Sequence, residues 1–157
     1  MQLSEHFSLA EFCRSDTATR HGIINHLPAE LLPAARAHCM MLERIRAYLS
    51  KLAGREVPMS LTSGYRCLPL NRKLGSRDDS HHTIAEASDW EAPRFGTPTE
   101  VCEALAPMVN QLGIGQLINE YPDRDGWVHT SSRQPVKLIN RIITITARGT
   151  TVGIMRA

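Results

Sequence analysis

The sequence predicts an α+β fold in which helices pack on one face of a mostly antiparallel sheet. Three observations predict it. Helical signals dominate the chain up to about residue 112, strand signals dominate the remainder, and short turns separate those last strands as in antiparallel hairpins. The 157 residues contain no internal repeat and no linker-like stretch, so we expect a single domain over residues 1–157.

The predicted helices follow from capping residues and apolar periodicity. The longest covers residues 28–52, where apolar side chains recur at helical spacing, and Gly54 supplies its end. Thr97 and Glu100 form a capping box that opens another helix, which runs to about Leu112 and ends at Gly113. Shorter helices are expected to begin after the capping residues Ser8 and Asp16, the second closing at Gly22, and near Pro69.

The predicted strands are short segments rich in β-branched and aromatic residues, bounded by turn residues. They cover residues 57–62, 87–90, 115–121, 127–131, 139–147 and 150–155. The last four form two hairpins, because a polar turn lies between the strands of each pair.

Charge and apolar patterning argue against two classes of partner. The formal charge is +2, and the basic residues are spread along the chain rather than clustered, which does not indicate nucleic-acid binding. No apolar stretch has the length of a membrane span, so membrane insertion is not expected. The N-terminal residues lack the pattern of a secretory signal, which predicts synthesis in the cytoplasm. The four cysteines form no C-x-x-C pair and are expected to be reduced thiols.

The most informative stretch is the sequence SHHTIAEASDW at residues 80–90. Zinc accepts imidazole nitrogen and carboxylate oxygen, and a catalytic site uses three protein ligands and keeps one position for water. His82 in a loop and Asp89 on the following strand would supply two ligands, and His129 on a neighbouring strand a third. Judged by spacing alone, a His-His pair in a polar loop is more often part of a solvated turn. A histidine in a strand is more often packed in the core or exposed than bound to a metal.

The same stretch resembles the S-x-H-x-x-G-x-A-x-D signature of the zinc D-Ala-D-Ala carboxypeptidase and phage endolysin family. Residues 63–66 (S-G-Y-R) resemble the motif that precedes it, and residues 127–129 resemble the closing W-x-H motif. Residues 4–12 resemble the opening of the phage-associated branch, so the resemblance covers nearly the whole chain. The signature falls in register at Ser80, His82, Ala87 and Asp89.

The resemblance implies a hedgehog/DD-peptidase-like fold and a Zn²⁺ cofactor bound by His82, Asp89 and His129. Arg66 would face the substrate, where a planar guanidinium suits a carbonyl or a carboxylate; its alternative is a surface salt bridge. Ser80 would form a hydrogen bond with the substrate terminus or merely cap the loop. Trp127 would form a wall of the cleft, although core packing is the more common role of tryptophan.

Two positions depart from the family pattern. Ala85 stands where the family has glycine, and a left-handed backbone there would be strained by roughly 1–2 kcal/mol. Gly126 stands three residues before the last histidine, where many members place the acidic general base.

Glu120 and Asp125 are the two candidates to replace that base. With a four-residue loop over residues 123–126, Glu120 would pair directly across from His129 and share its face of the sheet. Asp125 is nearer in sequence but lies in the turn. We prefer Glu120, because strands position side chains more precisely than loops.

The predicted function is a zinc-dependent peptidase acting on bacterial peptidoglycan stem peptides, as a D,D-carboxypeptidase or an endopeptidase. Without a signal peptide, it would reach the cell wall after lysis or as part of a phage particle. Two alternatives are a metal-containing cell-wall binding module that has lost catalysis, which Gly126 motivates, and a structural component of a phage particle. The sequence leaves the oligomeric state and the cleaved bond open.

Overall fold

A six-stranded sheet lies at the centre of the computed structural model, which describes residues 1–156. The strand order is β1-β2-β4-β3-β5-β6, and four of the five neighbouring pairs are antiparallel. The predicted α+β class and both predicted hairpins are confirmed. The strands are β1 Ser60–Ser63, β2 Ala87–Glu91, β3 Gln116–Glu120, β4 Trp127–Ser131, β5 Ile142–Thr146 and β6 Gly149–Val152.

The fifth pair, β3 with β5, is parallel and makes the sheet mixed. Strand β4 already pairs with β2 on one side and β3 on the other, so the next strand has to join outside β3. The chain leaves β4 beside the start of β3, where Ser131 lies opposite Gln116, and re-enters the sheet next to Leu117. Strand β5 therefore runs in the direction of β3.

The helices begin and end largely where the local signals predict. Helix α3 ends at Gly54, whose φ of 64° is left-handed. The predicted helix after Thr97 has its capping box but breaks at a 3₁₀ turn containing Pro107, which has no amide N–H to continue the ladder. The helices are α1 Leu9–Phe12, α2 Asp16–Arg20, α3 Leu32–Ala53, α4 Leu68–Lys73, α5 Pro98–Leu105 and α6 Val109–Leu112.

One helix start differs by a residue from its prediction. Ser15, not Asp16, caps α2, because the Ser15 hydroxyl accepts the amide hydrogen bond of Ala18 at 3.2 Å. Within residues 1–156, none of the helices combines the length and the apolar composition that crossing a membrane requires.

The core lies between one face of the sheet and helices α3 and α5. Trp90, Leu117 and Val128 point to this face and are fully buried in the same cluster as the apolar side of α3. Because strand side chains alternate, Asp89 and His129 point to the opposite face. That second face is not bare, since α2 and the segment after α4 border a cavity above it.

Candidate metal centre

Two antiparallel strands and one turn bring the three predicted ligands together. Asp89 on β2 lies directly opposite His129 on β4, and His82 comes from the 3₁₀ turn His81–Ile84. All three side chains are buried, and their ligand atoms lie within 4.8 Å of one another. Oδ1 of Asp89 is 2.8 Å from Nδ1 of His129 and 3.4 Å from Nε2 of His82. Donors of a tetrahedral zinc site lie about 3.3 Å apart, so this donor set fits such an ion.

The orientation of His82 depends on a glycine that the sequence analysis gave no role. The Nδ1–H of His82 donates to the Gly64 carbonyl at 2.7 Å, which leaves Nε2 facing Asp89. A Cβ at position 64 would collide with the backbone and ring of Phe12, so only glycine brings this carbonyl close enough. Ligating histidines commonly donate their second N–H in this way. The glycine of the S-G-Y-R segment is the feature of the sequence that could have indicated this role.

Ala85 has the left-handed backbone that its place in the motif predicts. Its φ is 59°, and it ends the 3₁₀ turn that carries His82. The methyl group is buried, and the Ala85 amide donates to the His82 carbonyl at 3.3 Å. The loop thus keeps the conformation that glycine would supply, at a cost in backbone strain of about 1–2 kcal/mol.

Asp89 is held as a carboxylate by the groups around it. Burial alone would raise its pKa, but the two imidazoles, His82 by its charge and His129 by its hydrogen bond, hold the pKa well below the usual value. Burial in turn lowers the pKa of His82, which favours the neutral imidazole that a metal ligand requires.

Arg66 makes a salt bridge, but a buried one rather than the surface pair considered above. Its Nη2 pairs with Oδ2 of Asp89, and its Nε donates to the Ser63 hydroxyl at 2.7 Å. The Arg66 side chain is only 12% exposed and lines the cavity beside the three ligands. The guanidinium therefore faces both a ligand and the space where a substrate would lie.

Glu120 lines the same cavity, although in a different register from the one predicted. It lies opposite Trp127, and Ile118 lies opposite His129, because residues 121–126 form a six-residue connection rather than a four-residue loop. The prediction was wrong by two residues, which leaves Glu120 on the same face as His129. Burial, and then the charge of Asp89, raise the pKa of Glu120 to about 7.

Asp125 lies apart from this group. It borders a separate depression together with Glu91 and Thr97. At Gly126, where the family pattern has an acid, a Cβ would collide with the carbonyl oxygens of Glu120 and Tyr121. The backbone of this hairpin thus excludes an acidic side chain at position 126, and the geometry favours Glu120 over Asp125.

The cavity has a volume of about 1080 Å³ and lies over the sheet face that carries the ligands. Ser80 borders it, and its hydroxyl also accepts the His82 amide at 3.4 Å, so the capping role is present. Trp127 lines the cavity, whereas Trp90 is fully buried in the core. Two further lining residues, Arg20 and Tyr121, had no motif to mark them.

A buried His-Asp-His cluster beside a carboxylate and an arginine, open to a large cavity, is the arrangement that a metal-dependent hydrolase would need. Comparison with known families agrees: the sequence profile of the family described as Peptidase M15 matches residues 5–131, and the chain belongs to that family. Membership implies a metallopeptidase, and peptidases of this family depend on zinc. No curated protein matches the chain.

Proposed function

We propose that the protein is a zinc peptidase that hydrolyses peptide bonds in bacterial peptidoglycan stem peptides, as a D,D-carboxypeptidase or an endopeptidase. The convergence of His82, Asp89 and His129 next to Glu120 in one cavity carries the proposal. A zinc ion held by the two imidazoles and the carboxylate would supply Lewis-acid activation for amide hydrolysis. Family membership supports the peptidoglycan substrate.

Glu120 is the proposed general base. A carboxylate accepts the proton of the attacking water and then returns it to the leaving amine. Burial raises the pKa of Glu120 toward neutrality, which suits a group that both accepts and returns a proton. Its position on β3, rather than in the turn where Asp125 lies, fixes its backbone against β4, the strand that carries His129.

Arg66 is the proposed anchor for the substrate carbonyl or carboxylate. Ser63 and Asp89 engage its Nε and Nη2 and hold the guanidinium plane. Its Nη1 N–H groups have no partner in the part of the chain that the structure describes. Donors that are already oriented lose little entropy when an oxyanion forms, which is why such groups stabilise it effectively.

The size of the cavity supports a peptide of several residues. Small-molecule sites typically have volumes of about 300–1,000 Å³, and this cavity, at about 1080 Å³, exceeds that range. The alternative of a binding module without catalysis rests on Gly126, and the presence of Glu120 in the cavity supports a catalytic site instead. A scaffold role in a phage particle would need neither Glu120 nor the cavity.

Glutamine at position 120 provides the decisive test. Zinc-loaded wild type, Glu120→Gln and Asp125→Asn would be incubated with purified sacculi and with a synthetic stem pentapeptide, and the products identified by mass spectrometry. We expect Glu120→Gln to lower kcat by about 10²–10⁴-fold, because general-base assistance is lost. Asp125→Asn, the matched acid outside the cavity, should stay within about twofold of wild type.

Zinc content measured on the same samples separates a lost base from a lost metal. Both variants should bind as much zinc as wild type. Absence of any product from zinc-replete wild type would contradict the proposed activity and favour a binding or scaffold role. Equal loss of activity in Glu120→Gln and Asp125→Asn would contradict the assignment of the base.

A further inference from the structure

Tyr121 has a backbone conformation that aromatic residues rarely adopt. Its φ is 51°, in the left-handed region, directly after Glu120 at the end of β3. The Tyr121 amide donates to the Ile145 carbonyl at 2.7 Å, and its own carbonyl accepts from the Arg124 amide at 3.0 Å. These bonds hold the residue in place at a strain cost of about 1–3 kcal/mol, which glycine at this position would avoid.

The Tyr121 ring contacts two neighbouring side chains at the edge of the cavity. Its centroid lies 5.5 Å from that of Trp127, with the rings tilted by 55°, and the Arg124 guanidinium carbon lies 4.1 Å from the Tyr121 centroid. Tyr121 and Trp127 both line the cavity that contains Glu120 and the three ligands. We call these two side chains the aromatic wall.

Trp127 adds a second cost in folding free energy within the aromatic wall. Its indole Nε1 is buried and finds no acceptor among residues 1–156. A buried donor without a partner costs about 1–3 kcal/mol, which phenylalanine would avoid. Stability alone would therefore favour other residues at both positions. What the two positions share is that both residues line the cavity beside Glu120.

We propose that Tyr121 is a substrate-binding residue, whose ring, together with Trp127, forms the surface on which the stem peptide packs next to the bond that is cut. The inference rests on the proposed function and names a contact that no motif of the chain marks. An aromatic face binds the C–H groups of small aliphatic residues such as alanine, while Arg66 and Glu120 face the polar groups of the same peptide bond. Tyr121 would thus contribute to affinity rather than to proton transfer.

Glycine at position 121 separates a binding role from a structural one. Tyr121→Gly removes the ring and the backbone strain together, so we expect KM for the stem pentapeptide to rise at least tenfold with kcat within about threefold, while Tm stays equal or rises. Tyr121→Phe keeps the ring and should recover most of the lost affinity. An unchanged KM in Tyr121→Gly, or a loss of activity that only follows a lower Tm or lower zinc content, would overturn the inference.

A binding measurement tests the role of Tyr121 separately from the proposed peptidase activity. Tryptophan fluorescence of Glu120→Gln, with and without Tyr121→Gly, would be titrated with the stem pentapeptide; Trp90 is fully buried, so Trp127 reports on the cavity. If the peptide binds but wild type does not cleave it, the peptidase proposal fails, and weaker binding after Tyr121→Gly still supports the aromatic wall. If wild type neither binds nor cleaves it, both are overturned.

Discussion

At the scale of single residues, His38 is a titratable group that takes no part in the proposed chemistry. It lies on α3, is completely buried, and bonds through Nε2 to the Ser88 hydroxyl at 2.9 Å. Burial, reinforced by the charges of His82 and His129, lowers its pKa to about 3. The ring thus links α3 to the strand residue next to Asp89 and has to stay neutral in the folded protein.

The buried His38 predicts a loss of stability in mild acid. Unfolding releases the ring to take up a proton below its ordinary pKa of about 6.5, so its stabilising effect is complete above that value and falls as the pH drops toward 3. From pH 7 to pH 5 this one group should lower the free energy of unfolding by about 2 kcal/mol. Urea unfolding of zinc-saturated protein at both pH values measures it.

His38→Gln is the variant that isolates this effect, since glutamine does not titrate. The difference between pH 7 and pH 5 should shrink by about 2 kcal/mol in this variant. His21→Gln, at an exposed histidine, serves as the control. An equal pH dependence in wild type and His38→Gln would show that His38 does not limit stability in acid.

At the scale of elements, the hairpin of β3 and β4 places the functional groups. Its six-residue connection sets Glu120 opposite Trp127, and both strands present their outward side chains to the cavity. Gly126 permits the connection to close, because its Cα lies against the carbonyl groups of Glu120 and Tyr121. One hairpin therefore supplies a proposed ligand, the proposed base and the aromatic wall.

Gly126→Ala should disturb this hairpin more than an ordinary glycine substitution. The added methyl collides with backbone atoms that cannot turn aside, so we expect a loss of at least about 2 kcal/mol in stability, together with loss of activity. Gly22→Ala, in an open left-handed turn with no atom within 4 Å of the new methyl, should cost only about 1 kcal/mol. Similar losses in the two variants, measured by urea unfolding, would contradict the close approach at Gly126.

At the scale of the whole molecule, the metal centre joins parts of the chain that are far apart in sequence. The proposed ligands come from the turn before β2, from β2 itself and from β4, so an ion bound there would bridge segments that separate on unfolding. The family match ends at residue 131, yet β5 pairs along β3 and covers the edge of the strand that carries Glu120. Stability, metal binding and the proposed activity are therefore linked.

Zinc removal should lower the melting temperature. At free zinc of 100 times its Kd, binding adds about 2.7 kcal/mol, which is roughly 5–10 °C in Tm for a chain of this size. A chelator should remove this gain in wild type, and His82→Ala should show no response to zinc. His81→Ala tests the neighbouring ring, which bonds to Ser131 at 2.8 Å and lies outside the cluster, and should respond as wild type does.

The register of Glu120 shows how far the sequence can predict the site. The alternation of side chains along β3 and β4 was enough to place Glu120 on the face of His129, because a shift of two residues preserves the face. The length of the connection was predicted wrongly, as four residues instead of six, since it depends on the left-handed Tyr121 and the close packing of Gly126. Asp125 was a reasonable candidate by sequence distance, and only its position in space separates it from the cavity.

The sequence by itself determined the helix boundaries at Thr97, Gly54 and Gly113, the two hairpins, and residue types suited to binding a metal. Those features depend on interactions within a few residues or on motifs written in order along the chain. Only the tertiary structure decided the parallel position of β5, the hydrogen bond from His82 to Gly64 and the pairing of Tyr121 with Trp127. Each of these depends on where a distant segment packs, and local propensities do not specify that.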